Sequence, residues 1–152
     1  MAFLSPRLPS PAHAFAGLAI AAGAFAARAA PLPLVELSIA GNPLHAELAR
    51  TPQERDRGLA QRPSLAPDGA MLFVFADAQL QCFWMRDTHV PLSVAFVGDG
   101  GLVVGLADMA PLDETPHCST QPVRYVLEVN RGWFAQHGLR AGASVAGEPF
   151  TR

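Results

Sequence analysis

The sequence predicts a mainly β domain, a compact β-sandwich or irregular barrel of jelly-roll-like form with two short helices, set after an N-terminal signal peptide. Three observations predict it. Short apolar runs, some alternating and some continuous, recur along the chain between Gly, Pro, Asn and Asp punctuation, which is how small all-β domains read. Only two short stretches carry helix start and stop signals. At 152 residues, 50% hydrophobic and 16% charged, the chain has room for one domain.

The leader comes first. Ala14 to Ala27 carries no charge, follows a region whose only charged side chain is Arg7, and runs into Ala27-Arg28-Ala29 with Ala30 next. A positive start, an apolar run and a small-residue A-x-A site in that order define a secretory signal peptide, with cleavage after Ala29. The run is short of the roughly 20 apolar residues of a membrane span, and it lacks the polar positions at helical spacing of a surface helix. No cysteine lies beside the cleavage site to carry a lipid. The expected mature protein is one β-rich domain, residues 30–152, periplasmic or secreted and without a stable membrane anchor.

The elements follow in order. Between Leu32 and Ala40, Val35, Leu37 and Ile39 alternate with Glu36 and Ser38, the period of a half-buried strand. Pro43 to Ala49 follows Gly41-Asn42, so the two runs form a hairpin or adjacent strands. Thr51-Pro52-Gln53-Glu54 is a capping box with proline at the first helical position, and Gly58 stands where a C-cap belongs; both signals place a helix over Pro52 to Arg57. Gly69 to Phe75, GAMLFVF, is continuously apolar and too short for a helix, as in a strand buried on both faces. Leu92 to Val97 and Leu102 to Ala107 flank Gly98-Asp99-Gly100-Gly101 and form a hairpin, with Leu92, Val94 and Phe96 on one face. Pro111 to Pro122 carries three prolines and reads as loop. Val123 to Val129 is a strand, Trp133 to His137 a short helix ended by Gly138, and Ala143 to Ala146 a last strand.

Charge and cysteine content narrow the partners. Loss of Arg7 and Arg28 with the leader would move the formal charge from −2 to −4, since every acidic residue lies beyond it. A mildly acidic chain without lysine has no footprint for nucleic acid or anionic membrane. Its arginines favour planar, bidentate contacts. Cys82 and Cys118 are an even pair, which in an oxidising compartment reads as a disulfide. Closing that loop would restrict the unfolded chain by roughly 3–4 kcal/mol. Two separate buried thiols are the alternative.

TPQERDRGLAQR, GAMLFVF, FWMRDTHVPLSVAF and RYVLEVNRGW, in this order, make the chain similar to the family called Domain of Unknown Function 192 over roughly Val35 to Val145. The resemblance implies the step Arg57-Gly58-Leu59 with Arg62, the strand Met71-Leu72-Phe73, and the signature positions Phe83, Trp84, Met85 and Thr88. It also implies Pro91-Leu92, Tyr125 and Leu127-Glu128. The chain departs from the family pattern at Ala60, where methionine is usual, at Arg86-Asp87, where Lys-Asn is usual, and at Ser93, where aspartate is frequent. The resemblance implies a β-rich, jelly-roll-like architecture and no established activity.

The candidate chemistry concentrates in one stretch. Trp84 offers a stacking face, and Arg86, Asp87 and Thr88 offer hydrogen bonds beside a strand start broken by Pro91, the equipment of a small-ligand site. The same residues also fit a core rim, with Phe83 and Met85 turned inward and Asp87-Thr88 making a local turn. Arg57 and Arg62, at either side of the short helix's end, either clamp an anion or pair with Glu128, which needs a partner if it faces inward. No hydrolase or phosphate-loop motif occurs, and Ser93, near His89 and Asp87, sits inside an alternating strand instead of a nucleophile elbow.

The expected function is an exported small binding or accessory module of the cell envelope. Its partner would be an unidentified small molecule or an envelope protein, and its ligand-binding set Trp84, Arg86, Asp87, Thr88, Arg57 and Arg62. No catalytic residue, metal or cofactor is expected. Two alternatives stay open: a small hydrolase or lyase using Asp87 or Glu128 with an arginine, and a thiol redox or metal-handling protein acting through Cys82 and Cys118.

Overall fold

The computed structural model describes residues 30–150; the signal peptide expected over residues 1–29 lies outside them. All elements below belong to the unit that starts at Pro31. Strands β1 (Leu34–Ile39) and β2 (Asn42–Ala49) form an antiparallel hairpin through Ala40 and Gly41, both at positive φ. Helix α1 (Pro52–Arg57) has the expected span, and its capping box is complete. The Thr51 hydroxyl accepts from the Glu54 amide at 3.3 Å, while the Glu54 carboxylate accepts from the amides of Thr51 and Arg50 at 2.8 and 2.7 Å. These backbone donors hold the Glu54 carboxyl below its ordinary pKa.

Strand β3 (Gly69–Gln79) lies parallel to β2, and α1 rides in the connection between them. The rest of the sheet is antiparallel: β5 (Leu92–Val97) with β6 (Val103–Met109), and β8 (Val123–Asn130) between β5 and β3. Helix α2 (Trp133–Gln136) precedes the short edge strand β9 (Val145–Gly147), which pairs with β1. The resulting sheet has seven strands in the order β6-β5-β8-β3-β2-β1-β9. Its two ends approach each other, because the Val103 amide donates to Ala143 at 2.9 Å and the Val145 amide to Gly101 at 2.8 Å. The sheet is therefore curled into a half-barrel, a mainly β fold with two short helices.

Curling divides the apolar side chains into two cores. Inside lie Ile39, Leu44, Leu72, Leu127 and Val129, closed by Trp133 and Phe134 of α2. On the outer face lie Met71, Phe73, Val94, Phe96 and Val126, covered by Leu59, Met85 and Val90 from the connections. All six residues of β5 are buried because both faces of the sheet are covered there. Several spans exceed their sequence signals, β6 by two residues to Met109 among them. Strand β3 runs four residues past Phe75, and the Pro111–Pro122 loop contains β7 (His117–Cys118), paired with β4 (Cys82–Phe83) in a separate ribbon. A two-residue strand exists only through its partner, so no local periodicity announces it.

Candidate functional site

Above the outer core, α1, the end of β3 and segment 81–88 enclose a cleft of about 520 Å³. Its apolar wall is aromatic. Phe83 sits edge-on to Phe73, with centroids 4.8 Å apart, and to Phe75 at 6.5 Å. Along segment 81–88 the side chains alternate in fate: Met85 is buried in the outer core, whereas Trp84, 49% exposed, and Arg86 line the cleft. The Arg86 guanidinium lies 5.6 Å from the Trp84 ring centroid and pairs with Glu114 at 3.0 Å. That hydrogen bond raises the Arg86 pKa above its ordinary value.

The segment is held in place by its backbone. The Thr88 amide donates to Met85 at 3.1 Å and its hydroxyl donates to the Arg86 carbonyl at 3.1 Å, closing a turn with Asp87 at φ 54°. The Gln61 amide donates to the Asp87 carbonyl at 2.8 Å, tying the turn to the chain beyond α1. On the other side the Met85 amide donates to Asp113 at 2.8 Å and the Ser119 amide to Gln81 at 2.8 Å. Cys82 and Cys118 stand directly opposite each other in β4 and β7 and are disulfide-bonded; both are exposed, and Cys82 lines the cleft. With two-residue strands, the ribbon otherwise depends on these few backbone bonds and on Phe83 against Phe73 and Phe75. Reducing the disulfide is expected to speed amide exchange of Ser119 and Met85 by about tenfold or more while β8 stays protected, the pattern of a local opening. Hydrogen exchange read by mass spectrometry or NMR checks it.

Arginine supplies the positive charge. Arg57 lines the cleft, is exposed, and has no ion-pair partner among the described residues. Arg55 also lines it but is committed: its guanidinium donates to the carbonyls of Arg50 and Val74, the latter at 3.1 Å, and lies 4.8 Å from the Phe75 ring centroid. Glu128 reaches the cleft from β8. It is 4% exposed, and burial pushes its carboxyl up to about 8.

The DUF192 family model, described as an uncharacterized ACR, matches residues 35–147. The chain belongs to the DUF192 family. A crystal structure from Sinorhizobium meliloti, assigned provisionally as a transcription regulator, is similar with a TM-score of 0.76 and 30% identity, covering 79% of this chain and 98% of that one. A protein of unknown function from Novosphingobium aromaticivorans is similar with a TM-score of 0.72 and 35% identity, covering 78% and 93%. No curated protein matches the chain.

In this DUF192 protein the residues singled out in the sequence separate into two groups. Trp84, Arg86, Thr88 and Arg57 line the cleft together; Asp87 and Arg62 do not. Arg62 makes a bidentate pair with Glu47, one bond at 2.6 Å, and the partner expected from sequence, Glu128, is not the one it takes. The reason is register: Glu47, Met71, Glu128 and Val94 form one row across β2, β3, β8 and β5, so Glu47 is two strands away from Glu128 and holds the arginine there. That pair raises the Arg62 pKa. Ser93 is buried, donates to the Asp108 carboxylate at 2.5 Å and accepts from the Gly132 amide at 2.8 Å, so its hydroxyl is engaged in the scaffold. Arg55, Phe75 and Gln81 went unnoticed in the sequence. Arg55 acquires its place from a β3 carbonyl, and no spacing within α1 signals that.

Proposed function

We propose that this DUF192 protein is an exported binding module of the cell envelope whose cleft holds a small anionic molecule with a flat apolar part. One observation carries the reading: a half-exposed Trp84 shares a cleft with Arg57 and Arg86 over an aromatic wall. Exposed tryptophan of this kind is a stacking surface, and guanidinium groups hold carboxylates or phosphates in the plane of their donors. Thr88 serves by fixing the turn that presents Arg86. Export is supported by the leader pattern and by a disulfide between exposed cysteines, a bond that persists in oxidising compartments. No helix among the described residues is long and apolar enough to cross a membrane.

Native mass spectrometry of protein recovered from the producing cell's envelope tests this. The expected mass begins at Ala30, includes the disulfide, and falls by a small molecule on denaturation. The double variant Trp84→Ala, Arg57→Ala is expected to melt within about 2 °C of the parent, as exposed substitutions do, and to emerge without the bound mass. Retention of the same ligand by the variant would remove the cleft from the binding role; a chain that keeps Met1 would remove export.

A further inference from the structure

The cleft presents a buried acid that the protein leaves to itself. Glu128 is 4% exposed and flanked across the sheet by Met71 and Val94, with Phe73 and Val126 on the same face. It makes no ion pair or side-chain hydrogen bond with the described residues, although Glu47, in the same row, is fully engaged by Arg62. The charged groups around the same cleft are Arg55, Asp56, Arg57 and Arg86. Of these, Arg55 is committed to the carbonyls of Arg50 and Val74, whereas Arg86 gives Glu114 a single exposed hydrogen bond and keeps its other donors. Among the described residues no fully enclosed side-chain oxygen or nitrogen lacks a partner. The Glu128 carboxyl is therefore not sealed in; it meets the space of the cleft. Buried polar groups in finished proteins are satisfied, and among the described residues the side left open to a partner is the cleft. A carboxylic acid in apolar surroundings is a neutral group with one O–H donor.

We propose that Glu128 is a ligand-recognition residue, donating a hydrogen bond from the cleft floor to a carbonyl-type acceptor on the buried end of the ligand while Arg57 and Arg86 hold its anionic end at the mouth. This rests on the cleft-binding reading and deepens it. The ligand class is a small monoanion with a flat apolar body and an acceptor oxygen at the end away from its charge. No bond is made or broken.

Two probes of matched planar shape test it, 4-acetylbenzoate and 4-isopropenylbenzoate, in which a C=CH2 group replaces the C=O and removes the acceptor. By calorimetric titration, the exported, disulfide-bonded protein is expected to bind the acetyl probe about tenfold more tightly, the worth of one buried hydrogen bond. Glu128→Leu is expected to bring the two within about twofold, and Glu128→Gln, which keeps a donor of the same size, to preserve the preference. Trp84→Ala is expected to weaken both probes together and leave their ratio unchanged. Equal binding of the two by the parent protein overturns the role of Glu128, as does a preference that survives Glu128→Leu. Failure of both probes overturns the ligand class, whereas the native-mass comparison judges cleft binding separately.

Discussion

At pH 9 the Glu128→Gln variant is expected to be more stable than the parent protein by about 3 kcal/mol, and at pH 4 the two are expected to unfold together. Burial pushes the Glu128 carboxyl from an ordinary 4.5 up to about 8. Between those values the folded protein keeps a proton that the unfolded chain has released. Stability is therefore withdrawn as pH rises through this window; it is undiminished below 4.5, where both states are protonated, and the loss is complete above 8. A glutamine does not titrate, so the variant escapes the loss. The opposite trend at low pH, from Glu54 and Asp113, whose carboxyls are held below their ordinary values by backbone donors, is common to both proteins and cancels in the comparison. Each unit of displacement is worth about 1.4 kcal/mol, and access of water through the cleft discounts the full value. Urea denaturation of both proteins at pH 4, 7 and 9 checks it. A stability difference that does not change with pH would show that the carboxyl ionises freely in the folded protein.

Gly147→Ala is expected to destabilise the fold by about 3–5 kcal/mol, through backbone strain and overpacking together. Gly147 sits at φ 106° in edge strand β9, opposite Leu37 of β1. A Cβ there would be driven into the Glu36 carbonyl oxygen and would stand 3.1 Å from the Leu37 Cδ2. Since β9 is three residues long, the clash is relieved only by displacing it from β1, and with it Val145, which packs in the inner core. Gly142 supplies the control. Its φ is 94°, but a Cβ there meets nothing within 4 Å, so Gly142→Ala is expected to cost about 1–2 kcal/mol for the conformation alone. The difference between the two variants in a denaturant titration measures the close approach. Equal losses would mean that β1 and β9 are not held this closely.

The legible parts of the fold share a local cause. Alternation in Val35-Glu36-Leu37-Ser38-Ile39 identified β1, and the reciprocal bonds of Thr51 and Glu54 identified both the existence and the span of α1. The cysteine pair was legible from number and expected compartment, and the two residues face each other in one ribbon. Within the site, Trp84 and Arg86 stood out because exposed-type residues interrupt an apolar run, and both do line the cleft. Asp87 stood out for the same reason, yet its contribution is a left-handed backbone turn whose carbonyl receives the Gln61 amide.

What the sequence determined by itself is what neighbouring residues decide among themselves: strand periodicity, helix caps and the Gly98–Gly101 turn. The tertiary structure alone decided the parallel register of β2 and β3, the choice of Glu47 over Glu128 by Arg62, the attachment of Arg55 to Val74, and the isolation of Glu128 beneath the cleft. The physical reason is that each depends on which strands become neighbours. Side chains far apart in the chain share a row only once the sheet has curled, and an acid's partner, burial and protonation are properties of that row and of the cover above it.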